Sequence, residues 1–375
     1  HSSAEHHLVT GFFILSLIFI LSFVVFYVSA GTAIPSFVVA IFFGLVSRHI
    51  LGPIIQAEGL LSSIVGLGAT LILFSGGLET PWQNFKRLLA RILSLSFIGL
   101  GLTAMLFSLA VFEIGKLVGV HVPVTVAVLL GAVLASTDPA SIIRILKQFR
   151  FNNRDTRDVI VSESAVTDVT GTLLTVVFLT LLAAGVEFSG VLNGYSQLFT
   201  SQTLTFIVKQ IAYGVIFGVI GYAMLETLVR FKKNHEQEFE VDSAFFLFVP
   251  VIIFTLALLF GGSGYLAAFI AGLLFVLSER LHLTEKFFNQ TIEGFLKPAI
   301  FLLLGALVDP KQLLAYAPLG LLAAFVFMFI IRPLTVLVSL APFSLQGKNQ
   351  FDWRELIFIS FVRETGAIQI GRASC

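Results

Sequence analysis

Two carboxylates, Glu163 and Asp168, stand five positions apart in residues 155–182, a stretch that leaves a charged loop and otherwise reads as a membrane helix. An Asp at the centre of a membrane helix costs roughly 2.5 to 3.5 kcal/mol, so acids kept there are functional by default. Positions five apart on a helix diverge by about 140°, which gives the two acids different work. Ser164 and Asp168 share one face, and Glu163 and Thr167 another. Asp168 and Ser164, joined by Thr137 of the preceding apolar segment, offer carboxylate, hydroxyl and carbonyl oxygen, which hard cations prefer. Burial disfavours a bare carboxylate, so a proton and a cation such as Na⁺ compete for Asp168. Glu163 points elsewhere and calls for a cationic partner, and the arginines within apolar segments are Arg332 and Arg363.

The elements that must position these groups are membrane helices. The 375-residue chain is 57% hydrophobic, has a mean hydropathy of +0.97 and is only 12% charged, against about 25% in an ordinary soluble domain. It reads as an all-α polytopic membrane protein whose residues 1–375 form a single membrane transport domain. Segments long enough for a hydrocarbon core of roughly 30 Å predict twelve helices. They fall near 8–28, 33–50, 60–79, 92–112, 121–142, 157–182, 204–229, 243–260, 262–278, 290–308, 313–340 and 355–375. The first is too long for a signal-peptide core and lacks a basic flank, so it is read as retained. Loops after odd-numbered helices hold most of the cations, among them Lys86, Arg87, Arg150, Arg230 and Lys348, whereas the even loops hold Arg48, Lys116 and Lys311. That bias places the odd loops in the cytoplasm and the N-terminus outside. Asp168 then lies about 16 Å into the sixth helix at 1.5 Å per residue, near the bilayer midplane.

Several function classes drop out. A net charge of +1 supplies no field for nucleic acid. The sole cysteine, Cys375, permits no disulfide or thiolate metal site within one chain. The seven histidines fall at the N-terminus, in loops or at the ends of expected helices, none within a helix core, and neither a Gly-x-Ser-x-Gly elbow nor a His-Glu-x-x-His helix occurs. An intramembrane hydrolase built on Ser164 therefore lacks its base, and the chain is read as a non-enzyme that needs no cofactor.

A weak internal repeat accompanies the pattern. Gly76 in the third helix aligns with Gly305 in the tenth at an offset of 229, and Gly44 in the second with Gly272 in the ninth at 228. Partners seven helices apart cross in opposite senses, the arrangement of transporters with inverted repeats. A similar shift relates Asp138 of Ser136-Thr137-Asp138-Pro139-Ala140 to Glu364 of Arg363-Glu364-Thr365-Gly366-Ala367. Both are polar interruptions with a helix breaker, which predicts two broken helices meeting beside the sixth. The partner of the sixth helix is expected to be a thirteenth, beyond residue 375.

FSGGLE at 74–79, STDPA at 136–140, ESAVTD at 163–168, GYLAAFIAGL at 264–273, the Ile331-Arg332-Pro333 step and RETGAI at 363–368 together resemble the monovalent cation/proton antiporter family. The likeness falls in its branch of sodium/proton antiporters and exchangers and covers essentially the whole chain. It implies a thirteen-helix form, a dimerisation domain, a six-helix core with two broken helices that cross, a homodimer and alternating access. On this chain the core helices fall near 92–182 and 313–375, and the dimerisation helices near 8–79 and 204–308.

By the same resemblance Asp168 is the ion- and proton-binding aspartate, with Ser164 and Thr137 as hydroxyl or backbone ligands. Asp138 steadies the crossing, Glu163 pairs with Arg332, and Arg363 is the arginine of the second broken helix; Asp138 and Thr167 are also counted in the ion- and proton-binding set. Two positions leave the family pattern. Thr167 stands where the family has Asn or a second Asp; being neutral, it implies one-for-one exchange by analogy. Glu364 stands where the family often has Gly, and either pairs with Arg363 or enters the ion site. The expected activity is exchange of a monovalent cation, Na⁺ first and Li⁺ or K⁺ as alternatives, for H⁺ in the cell membrane. An ion channel and a Na⁺-coupled carrier of an organic anion are the competing readings.

Overall fold

The structure is a computed structural model that describes residues 2–31, 36–56, 59–80, 82–138, 154–234, 242–275, 282–344, 353–361 and 364–365. A lipid-embedded backbone must satisfy its own hydrogen bonds, which favours helices wherever the chain is apolar. The first seven are α1 (Ser2–Gly31), α2 (Ser36–Val46), α3 (Arg48–Gln56), α4 (Leu60–Glu79), α5 (Trp82–Leu93), α6 (Leu100–Val118) and α7 (Val124–Leu134). After a two-residue strand β1 (Thr137–Asp138) come α8 (Arg154–Ala183), α9 (Val191–Ser196), α10 (Ser201–Asn234), α11 (Asp242–Leu259), α12 (Gly264–Leu274) and α13 (His282–Thr291). The last are α14 (Lys297–Leu307), α15 (Pro310–Val326), α16 (Arg332–Ser344), α17 (Trp353–Phe361) and the strand β2 (Glu364–Thr365). Single π-helical turns continue α5 into α6 at Ser94–Gly99, α13 into α14 at Ile292–Leu296 and α15 into α16 at Phe327–Ile331.

Among the described residues seven helices are long and apolar enough to cross a membrane, or eight if the pair α2 and α3, bent by 90°, is one span. The chain is thus a multi-pass, helical membrane protein. The helix expected at 33–50 is interrupted at Ser47, and α3 turns Leu51 and Ile54 inward while Arg48 reaches Asp309 at 3.8 Å.

The helix expected at 121–142 is also shorter than its apolar pattern. It starts after Pro123, ends at Leu134 and gives way to extended backbone at Thr137 and Asp138. Pro139 follows the break, and a proline ring disfavours helical backbone at the residue before it, here Asp138. The unpaired backbone groups at this break are satisfied by the second interruption. β1 and β2 run antiparallel, with Thr137 opposite Thr365 and Asp138 opposite Glu364. The two polar interruptions expected to meet are therefore hydrogen-bonded partners.

Glycine sets the closest helix crossings. A Cβ at Gly44 would collide with the carbonyl oxygen of Leu302, and one at Gly305 with that of Ile41, so α2 and α14 cross almost backbone to backbone. A Cβ at Gly77 would meet the carbonyl of Phe269, and one at Gly272 that of Phe74, where α4 crosses α12. The two crossings correspond residue for residue at a spacing of 228: Gly44 with Gly272, Gly77 with Gly305, Phe74 with Leu302, and Ile41 with Phe269. The glycine aligned with Gly305 is thus Gly77, one position on from the Gly76 chosen by sequence.

Candidate functional site

Asp168 sits where α8 passes between two apolar clusters: Val159, Ile160, Val166 and Val169 belong to one, and Phe178, farther along, to the other. The carboxylate is half-buried, and its Oδ1 accepts a hydrogen bond of 2.7 Å from the hydroxyl of Ser136. Ser136 is fully buried and lies two residues beyond the end of α7, next to the β1–β2 pair. The C-terminal end of a helix carries partial negative charge, so the end of α7 adds to the carboxylate in favouring a cation.

The sequence-predicted ligands are arranged unequally. Ser164 is buried and shares the Asp168 face of α8, four residues away. Thr167 turns its hydroxyl back onto its own helix, donating to the Ser164 carbonyl at 2.9 Å. Thr172 likewise donates to the Asp168 carbonyl at 2.7 Å. Thr137, Asp138 and Glu364 are described through their backbones alone, and Arg363 lies outside the described residues.

Glu163 follows the other course predicted from the helical angle. Arg332 Nη2 donates to Glu163 Oε1 at 3.2 Å, with side chains 3% and 0% exposed. Hydroxyls fix the helices around this pair. Thr335 donates to the Arg332 carbonyl at 3.1 Å, Thr103 reaches Thr335 at 3.1 Å, and Ser94 donates to the Ser339 carbonyl at 2.7 Å. Thr170 donates to the Ser96 carbonyl at 3.0 Å, in the π turn between α5 and α6. α8 is thereby tied to α16 through charge and to the α5–α6 helix through a hydroxyl.

Sequence reasoning missed Ser136 as a partner of Asp168, although it stands in the quoted STDPA run. Had the helix continued through Thr137 the facing positions would differ. The signal that could have pointed to Ser136 is Pro139, which disfavours helical backbone at Asp138 and so marks a break close to position 136.

Two cavities lie elsewhere among the described residues. One of about 630 Å³ lies among α6, α7 and α15, with Phe107, Leu130, Ala323 and Phe327 in its apolar wall and His121 and Tyr316 also lining it. The other, about 430 Å³, is lined by Glu79, Glu285, Lys286, Asn289 and Glu293. Its wall is anchored to α4 by a 2.6 Å bond from Ser75 to Asn289.

Comparison with known proteins gives a consistent picture. The family model described as sodium/hydrogen exchanger, transmembrane, matches residues 13–374. The K(+)/H(+) antiporter NhaP of Alkalimonas amylolytica is 28% identical over 370 residues, which is 95% of this chain and 58% of that protein. A K(+)/H(+) antiporter NhaP2 of Shewanella sp. (strain ANA-3) is 29% identical over 313 residues, 82% of this chain and 50% of that protein. The probable Na(+)/H(+) antiporter 2 of Methanocaldococcus jannaschii is 26% identical over 342 residues, 87% of this chain and 76% of that protein. The chain thus spans only 50% to 58% of the two K(+)/H(+) antiporters. In fold it matches the solved structure of the sodium proton antiporter MjNhaP1 from M. jannaschii at pH 8, with a TM-score of 0.75 and 21% identity over 98% of this chain and 87% of that one.

Proposed function

Because the chain belongs to the transmembrane sodium/hydrogen exchanger family, we propose that it is a secondary antiporter exchanging a monovalent cation for protons by alternating access. The observation that carries this reading is the half-buried Asp168 carboxylate bonded to Ser136 beside two paired, non-helical backbone stretches. Such breaks bring carbonyls and helix ends to a buried ion site. Asp168 takes up a cation or a proton, never both, with Ser164 and the backbone at Thr137 and Asp138 completing an oxygen shell. Either occupant neutralises the carboxylate, whereas the bare charge resists transfer through low dielectric. The site therefore changes sides only when loaded, which couples the two fluxes.

With Thr167 neutral, one cation moves for one proton and exchange is electroneutral. Na⁺ is the first candidate, with K⁺ and Li⁺ as alternatives; both sodium and potassium occur in the names of similar proteins. Proteoliposomes loaded with a pH-sensitive dye test the proposal. Adding Na⁺, K⁺ or Li⁺ outside should move protons to the same extent with and without a membrane potential. Absence of cation-driven proton movement with all three ions refutes it.

The finer architecture belongs to the same reading: a homodimer in the cell membrane, the N-terminus outside, a thirteen-helix inverted repeat, and core and dimerisation helices divided as expected from sequence. Support for the repeat comes from the two glycine crossings that correspond at a spacing of 228.

A further inference from the structure

We propose that Ser136 is a ligand of the transported cation and sets the selectivity among alkali ions, an inference that rests on the antiport reading above. The residue has no freedom to sit elsewhere. On one side the last turn of α7 is closed by the bond from Ala135 N to the Gly131 carbonyl at 3.0 Å. On the other side Thr137 is fixed opposite Thr365 in the strand pair. Between them Ser136 is 0% exposed, and its hydroxyl reaches Asp168 Oδ1 at 2.7 Å.

A serine hydroxyl has one proton and two lone pairs. Facing a bare carboxylate it donates the proton. When a cation occupies Asp168, rotation about the Cβ–Oγ bond turns a lone pair to the ion, and the same oxygen becomes a ligand. No backbone rearrangement is needed for this exchange of roles. The two oxygens belong to different elements, one on α8 and one on the fixed end of α7, so their separation limits the size of ion that both can touch. Thr167 differs in position: its hydroxyl is held against the Ser164 carbonyl of its own helix, so it adds no oxygen from a second element. Selectivity thus arises between helices rather than along α8.

The test is the Michaelis constant for Li⁺, Na⁺ and K⁺, measured as cation-driven proton flux in proteoliposomes at one fixed pH. Ser136→Ala, Ser136→Thr and Ser136→Cys are compared with the wild type. For Ser136→Ala, KM for the preferred ion should rise about tenfold and that for the others less than about threefold, on the scale of one polar contact to a charge. Ser136→Thr, which keeps the hydroxyl, should retain the wild-type order. Ser136→Cys replaces oxygen with a softer atom of similar size and should also compress the KM ratios, which keeps the test open if the alanine variant fails to fold. Unchanged ratios in a folded Ala or Cys variant, or a uniform rise for all three ions, overturn the proposal. Loss of antiport in the wild type would instead overturn the reading on which it rests.

Discussion

Glu163 and Arg332 face each other at 3.2 Å with essentially no solvent exposure, joining α8 to α16. Taking charges out of water is costly, and a buried pair compensates only while both members are present. The pair is therefore a constraint on helix placement more than a source of net stability.

Removing one member should accordingly be worse than removing both. Glu163→Ala or Arg332→Ala is expected to destabilise the fold by about 3 to 5 kcal/mol. A Glu163→Leu/Arg332→Met double variant, which leaves no uncompensated charge, should recover much of that loss. Thermal melting in detergent distinguishes the two cases. Single variants with wild-type melting profiles would show that the pair does not hold α8 and α16 together.

A second buried polar contact lies where α9 packs against α6 and α7. The hydroxyls of Tyr195 and Ser108 are 2.9 Å apart, and Ser108 also donates to the Ala104 carbonyl at 2.8 Å. Burial pushes the Tyr195 phenol well above its ordinary value of 10.0, with the Ser108 bond as a smaller opposing influence. Since the folded value is the higher one, the contribution of this group to stability is complete below pH of about 10 and declines as pH rises beyond it. Tyr195→Phe should remove part of the alkaline fall in melting temperature between pH of about 9 and 11. It should cost about 0.5 to 1.5 kcal/mol near neutrality through the lost hydrogen bond. An identical alkaline profile in the variant would exclude this linkage.

Much of this arrangement was legible in the sequence because membrane helices are long apolar runs whose polar interruptions are conspicuous. The 60–79 segment is recovered as α4, and the helical angle between Glu163 and Asp168 separates their partners as expected. The pairing of Thr137-Asp138 with Glu364-Thr365 follows from two breakers at related positions. What could not be read depends on contacts between distant segments. Ser136, outside the expected ligand set, supplies a hydroxyl at Asp168 because the early end of α7 changes which side chain turns inward. The facing glycine is Gly77 rather than Gly76, since a helix surface is chosen by its neighbour. The 90° bend between α2 and α3 lies within a segment whose hydropathy alone suggested one straight span.

The glycine crossings allow a direct check of that tertiary contribution. Alanine at Gly44, Gly77, Gly272 or Gly305 would place a methyl group against a backbone carbonyl that cannot swing aside. Each substitution should therefore cost about 1 to 3 kcal/mol through overpacking. Gly101, in α6 with nothing near its missing Cβ, is the control. Gly101→Ala should stabilise by roughly 0.5 to 1 kcal/mol from helix propensity. Equal melting shifts at the four crossings and at Gly101 would mean that α2–α14 and α4–α12 are not closely packed.

The strongest demand falls on Asp168. Replacing it with Asn preserves size and the ability to accept from Ser136, but removes the charge that a cation neutralises and the site that a proton occupies in the proposed exchange. Asp168→Asn should therefore abolish cation-driven proton flux in proteoliposomes. Its melting temperature should stay close to that of the wild type, because the half-buried carboxylate is no longer a charge to be compensated. Asp168→Glu keeps the charge but moves it farther from α8, out of register with the fixed Ser136 oxygen. It is expected to retain exchange with a cation KM raised about tenfold, on the scale of one misplaced polar contact to a charge. Wild-type flux in Asp168→Asn would locate the coupling residue elsewhere, whereas loss of both flux and thermal stability would assign Asp168 to the scaffold.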